Sequence, residues 1–316
     1  MKRNRKIGAN FAAVCVGVAL AAGATVAAAG NEAGKQVGES GETARVATDA
    51  AKSNGANGAN GENGANGENG AAKSNGANGG NAERQDGEAR TRRAVEEAVA
   101  STVDEPEKLR RLDKTAPIWV SSDRKRVVLG GVVCLREGPL EFFACRRGSK
   151  EHESVVSLDV APHLIHAALL AIGAKQGKPA KFDPEFVPPT GEEIEIELRW
   201  RDAESGAVRK IRAQETVREA ETGCEMSAPW VFTGGLFGVD AEGKKYYLAN
   251  VTGEIFGVSN FPGSVLDVPF ESSSDNALLT FEANTEKIPP TGTPTALILT
   301  RKNKPNGATF GAGRKK

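Results

Sequence analysis

The chain has 316 residues, with 41 basic and 41 acidic side chains and a formal charge of zero. That balance excludes the strongly basic surface that broad nucleic-acid binding requires. Large apolar residues are scarce in the first third beyond its N-terminal stretch, so one core of about 190 residues is expected in the remainder.

Lys2, Arg3, Arg5 and Lys6 precede an apolar run, Ile7 to Val26, rich in Ala and Gly. Ala27-Ala28-Ala29 before Gly30 fits a small-residue cleavage site. The pattern predicts a signal peptide over residues 1–29 and export to the periplasm or cell surface. An uncleaved anchor is the other reading, since the run is long enough to span a bilayer. Cys15 lacks a lipoprotein context. Cleavage would remove four positive charges and leave 37 − 41 = −4.

Residues 30–82 are small and polar. KSNGANG occurs at Lys52 to Gly58 and again at Lys73 to Gly79, and Gly recurs every third residue from Gly55 to Gly70. Without proline, a collagen helix is not supported. Such a segment has little to bury and predicts a disordered low-complexity linker. Residues 83–108 read as a weak helical lead-in, solvated except for a thin stripe at Ala94, Val95, Ala98 and Val99. Pro106 breaks it.

The domain is expected to run from Leu109 to Thr300. PIWVS at Pro117 to Ser121 reads as a strand. RVVLGGVVCLR at Arg126 to Arg136 is a longer one, with a bend or bulge at Gly130-Gly131. Leu140 to Arg146 returns as its hairpin partner through a Gly138–Glu141 turn, which sets Cys134 opposite Cys145. The two either form a disulfide, as an exported compartment permits, or are separate buried thiols. No C-x-x-C is present, so no iron–sulfur cluster is expected. Ser154 to Val160 is a further strand. Pro162 then starts a helix, His163 to Ala174, burying Leu164, Ala168, Leu169, Ala171 and Ile172.

Glu193 to Arg201 alternates, with Ile194, Ile196, Leu198 and Trp200 on one face and Glu195, Glu197 and Arg199 on a solvated one. Ala207 to Ala213, Trp230 to Thr233, Lys245 to Ala249, Glu254 to Ser259, Leu278 to Glu282 and Thr295 to Thr300 complete the strands. The expected class is α+β, a mainly antiparallel sheet of about ten strands with one substantial helix after a disordered N-terminal region. Residues 301–316 read as a basic, disordered tail.

Trp119, GSKEHESVV, HLIHAALLAIGA, PWVFTGG, SNFPGSVLDVP and KIPPTGTP, in that order, resemble the YdjY-type domain family over Leu109 to Thr300. The resemblance implies a domain boundary and an exported bacterial setting, and brings no established reaction. Some relatives carry a ferredoxin-like segment, for which this chain lacks the cysteines.

Three clusters carry candidate chemistry. His152, Glu153 and Ser154 supply a base, a carboxylate and a hydroxyl. On a strand, however, neighbours point to opposite faces, which disfavours a local triad. His163 and His166 share a helix face and, with His152, could hold zinc; no cofactor is otherwise expected. Ser259, Asn260, Asp267 and Ser272 could form a loop rim for a ligand, although turn chemistry explains the same residues. No phosphate loop, dinucleotide fingerprint or G-x-S-x-G occurs. The expected function is a non-enzymatic binding or structural module on a flexible tether. Its partner would be a cell-envelope component or a protein, and a membrane only if the N-terminal segment is retained. The alternative is a hydrolase or metal-dependent enzyme built on His152, Glu153, Ser154, His163 and His166.

Overall fold

The computed structural model describes residues 79–275 and 278–302. The signal-like segment, the low-complexity tract up to residue 78 and the tail from residue 303 lie outside the described residues.

Eight strands close into a barrel. In chain order they are β1 (Arg126–Val133), β2 (Phe142–Arg146), β3 (Ser154–Leu158), β4 (Glu193–Arg201), β5 (Trp230–Phe232), β6 (Glu254–Gly257), β7 (Leu266–Asp267) and β8 (Pro294–Arg301). Around the barrel the order is β1-β8-β4-β5-β7-β6-β2-β3 and back to β1. The contacts β7·β6 and β2·β3 are parallel and the other six are antiparallel. The sheet is mainly antiparallel, as expected, but it is mixed and closes into a barrel, which the expectation of a simple sheet does not include. Closure leaves the barrel strands no free edge between them. Strands Leu109–Arg111 and Ile118–Ser121 extend outward from β1, and Val208–Arg212 pairs with β4.

The longest strands form the wall best specified by the sequence. On β8, Leu297 sits opposite Leu129 of β1 and Leu198 of β4, and all three are fully buried. Ile194 and Ile196 share their core, as the alternation predicts. Trp200 is only partly buried against it.

Among the described residues, three α-helices dress the barrel. Helix α1 (Gly79–Thr102) is solvated along most of its described length and buries Val95, Ala98 and Val99 of the expected stripe. Val99 and Val103 pack with Val128, Ala296 and Ile298 as a second apolar cluster outside the barrel. Arg199 of β4, expected in solvent, is buried under its C-terminal end, where its guanidinium donates to the Thr102 carbonyl and pairs with Asp104 and Glu197. Helix α2 (Pro162–Ala171) buries Pro162, Ile165, Ala168 and Leu169. Ile165 takes the place expected for Ala171, which is exposed. The strand predicted over Lys245 to Ala249 stops at Tyr247, and helix α3 (Leu248–Thr252) follows.

Two local expectations are corrected. β1 passes through Gly130 and Gly131 with unbroken register against β8, so the glycines make no bulge. They serve close packing instead: a Cβ on Gly130 would lie 2.4 Å from Val95 of α1, and one on Gly131 would lie 2.7 Å from Leu158 of β3. Nor do β1 and β2 form a hairpin. β3 lies between them, antiparallel to one and parallel to the other.

Candidate functional site

The turn after β2 enters a short 3-10 helix, Glu151–Glu153, rather than a strand. It folds Lys150 back over the barrel end. The Lys150 ammonium lies 2.8 Å from Glu153 Oε1 and 3.4 Å from Glu141 Oε2. It also sits over the rings of Phe142 and Phe261, at 5.3 and 5.4 Å from their centroids. The two rings stack on each other with centroids 4.8 Å apart. One cation thus joins the β2–β3 turn to the loop between β6 and β7.

The carboxyl groups around it are held away from water. Burial pushes Glu141 up, the neighbouring Glu153 adds to this, and Lys150 opposes it. Desolvation pulls Lys150 down, but its bond to Glu153 and the charges of Glu153 and Glu141 win and raise it. Burial likewise raises Glu254. Asp267 is fully enclosed, and burial pushes it up to about 8 despite bonds from Val268 N–H, the Asn260 amide and Phe261 N–H. At neutral pH it is mainly a neutral acid.

Asn260, Asp267 and Ser272 form one buried knot. Asn260 Nδ2 donates to Asp267 Oδ1 at 3.1 Å, and Asn260 Oδ1 accepts from Ser272 N–H at 2.7 Å. Ser272 Oγ donates to the Val258 carbonyl at 2.7 Å. Ser259 is enclosed in the same loop, and among the described residues its hydroxyl, the Ser264 hydroxyl and Asp267 Oδ2 find no hydrogen-bond partner. The four residues expected at a ligand rim therefore come together, but inside the protein. Their geometry braces the loop that carries Phe261.

The other two candidate clusters are dispersed. Ser154 is buried and its hydroxyl donates to the Lys150 carbonyl at 2.6 Å. His152 is 76% exposed and its Nε2 lies 3.7 Å from Glu153 Oε2. His163 bonds Asn250 Oδ1 through both its backbone N–H and Nδ1, each at 3.1 Å. His166 is half-buried among Phe232, Phe237 and Tyr247. Its Nδ1 is 3.1 Å from the Gly234 carbonyl, which selects the Nδ1–H tautomer. Burial holds its pKa below the usual value, with the Gly234 carbonyl opposing. Among the described residues, no three His, Cys, Asp or Glu side chains gather into a group that could hold a metal ion.

Sequence reasoning missed Glu141, Glu254, Phe142 and Phe261. A signal existed, because Glu141 and Glu254 interrupt otherwise apolar stretches, LEFFAC and GEIFGV. A carboxylate in such a run is either on a solvated face or paired inside.

The fold and the site define a closed mixed β-barrel domain with a lysine-centred carboxylate cluster at one end. The sequence profile of the YdjY domain matches residues 118–300, more than half of the chain, and the protein belongs to that family. No curated protein and no solved structure gives a significant match.

Proposed function

We propose that this chain is an exported, non-enzymatic binding or structural module carried on a flexible tether. The signal-like residues 1–29 and the repeated KSNGANG tract support export and tethering. Among the described residues no helix is long and apolar enough to cross a membrane.

The observation that carries the reading is the bonding of Ser154. A nucleophilic hydroxyl needs a base within hydrogen-bond reach. The Ser154 hydroxyl is enclosed and spent on the Lys150 carbonyl, while His152 stands exposed beside Glu153. Polar residues here brace the architecture, which suits a rigid module that presents its surface to a cell-envelope component or another protein.

Elemental analysis of the purified chain, beside its His152→Ala and His166→Ala variants, tests this against the enzyme alternative. The expected result is no stoichiometric zinc, with the substitutions altering only the melting temperature. Stoichiometric zinc lost on either substitution overturns the reading. The intact mass of the exported protein checks cleavage after residue 29.

A further inference from the structure

The edge of β1 turned away from β8 carries two different neighbours. Strand Ile118–Ser121 pairs with it as far as Leu129, opposite Ile118, and the Pro117 carbonyl accepts from Gly130 N–H at 2.9 Å. β3 takes over at Val132, opposite Ser157. The two neighbours part at Gly130-Gly131, and a cleft of about 470 Å³ opens at this fork, lined on its other side by Thr91, Arg92 and Val95 of α1. That volume is within the range of small-ligand sites. A Cβ on Gly130 would lie 2.4 Å from Val95 and 3.1 Å from Pro117, so bare backbone and apolar side chains form the floor.

The polar groups of the lining are not equally engaged. Arg92 pairs with Asp159 at 3.6 Å, and Glu151 Oε1 accepts from the Gly148 N–H at 3.2 Å. Cys134 and Cys145 are free thiols, and Cys134 Sγ lies 3.0 Å from the Ser154 carbonyl oxygen. Two groups are left over. The Arg147 guanidinium is exposed and, among the described residues, has no carboxylate within ion-pair distance. Ser157 is only 7% exposed, and its hydroxyl has no hydrogen-bond partner among the described residues. The two are neighbours, because Arg147 N–H donates to the Leu158 carbonyl at 2.9 Å, one residue beyond Ser157.

We propose that the fork cleft binds a small organic monocarboxylate, with its carboxylate on Arg147 and Ser157 and its apolar body on Val95, Pro117 and the Gly130-Gly131 backbone. The planar guanidinium offers paired N–H donors that match the two oxygens of a carboxylate. The Ser157 hydroxyl adds a further donor at the buried end. A phosphate dianion fits less well. Asp159 and Glu151 also line the cleft, and of its two arginines only Arg147 has no carboxylate partner. The assignment holds whether or not the chain is exported, and so goes beyond the reading of the domain as a tethered module.

The isotope-labelled full chain is titrated with benzoate through the millimolar range, where ligands of this size bind. Benzamide serves as the uncharged control of the same shape. Benzoate should shift the amide signals of Gly131, Val132 and Ser157 to saturation, and benzamide should bind about tenfold more weakly. Arg147→Gln should weaken benzoate about tenfold and leave benzamide unchanged, and Ser157→Ala should weaken benzoate about threefold. Variant spectra that match the parent outside the cleft exclude a folding defect, and each variant reads the carboxylate contact independently of the other. No saturable shift with benzoate, equal binding of benzamide, or benzoate binding unchanged in either variant overturns the proposal. Inorganic phosphate that displaces benzoate with equal affinity overturns the assignment to a carboxylate.

Discussion

The Lys150 ammonium lies 5.4 Å from the ring centroid of Phe261, a residue 111 positions away in the chain. That contact connects the β2–β3 turn to the loop whose interior is the Asn260–Asp267–Ser272 knot. Two polar stretches that look independent in the sequence are one unit in space.

Replacing Lys150 with Met should therefore cost more than a surface ion pair. The ammonium is the cation paired with Glu141, which is almost fully buried, and with Glu153. Without it, the Glu141 carboxylate loses its compensating charge and its pKa rises further. A loss of roughly 1–3 kcal/mol is expected in urea unfolding at neutral pH. Combining Lys150→Met with Glu141→Gln should recover part of that loss. Strictly additive effects in the double variant would show that the pair is not coupled.

Asp267 should give the fold a pH dependence opposite to that of a salt-bridged carboxylate. Its folded pKa, about 8, is above the reference value of 3.8. Between those values the native state binds more protons than the unfolded state, so stability falls as pH rises through the window and levels off above about 8. Asp267→Asn cannot ionise but keeps an acceptor for Asn260 and Val268. Relative to the parent, it should gain on the order of 3 kcal/mol between pH 5 and 8. Chemical unfolding at three pH values measures this, and a constant offset between the two proteins would refute it.

The limits of sequence reading are visible in particular elements. β4 is legible because Ile194, Ile196 and Leu198 repeat with the period of a half-buried strand. The α2 start is legible because Pro162 is tolerated where N–H groups have no helical partner. The β1–β2 hairpin fails because Gly138-Pro139 marks a turn locally, whereas the insertion of β3 is a long-range pairing that no local residue pattern encodes. Arg199 fails for a similar reason. Alternation placed it outward correctly, but α1 arrives from about a hundred residues earlier to cover it. At the site, the Asn260–Ser272 cluster was recognisable as polar turn chemistry, but not as an interior. Its contact with Lys150 depends on barrel closure.

Gly130 and Gly131 should separate the docking of α1 from the integrity of the barrel. A Cβ at Gly130 meets the Val95 side chain of α1 and the Pro117 ring carbon, so Gly130→Ala presses on the helix. A Cβ at Gly131 meets Leu158, Val156 and the Ser157 carbonyl, all within β3, so Gly131→Ala strains the barrel seam. Each should cost roughly 1–3 kcal/mol. Limited proteolysis distinguishes them. Gly130→Ala should hasten cleavage within α1 while the barrel resists, and Gly131→Ala should lower the unfolding midpoint without selective loss of α1. Identical cleavage patterns for the two would contradict the division.

His166 should act as a stability switch below neutrality. Burial among Phe232, Phe237 and Tyr247 disfavours its charged form, so its folded pKa lies below the reference value of 6.5. The unfolded chain takes up a proton at this residue before the native state does. Stability from the neutral ring is therefore present above about pH 6.5 and is lost as pH falls towards the folded pKa. The same packing commits Nδ1–H to the Gly234 carbonyl, an acceptor shared with the Tyr247 hydroxyl. Long-range nitrogen–proton spectra should show the Nδ1–H tautomer at pH 7.5, unlike the Nε2–H form usual for free imidazole. His166→Gln should flatten the melting-temperature profile between pH 5 and 7. Titration of His166 at or above its reference value would show that the aromatic enclosure does not exclude its charge.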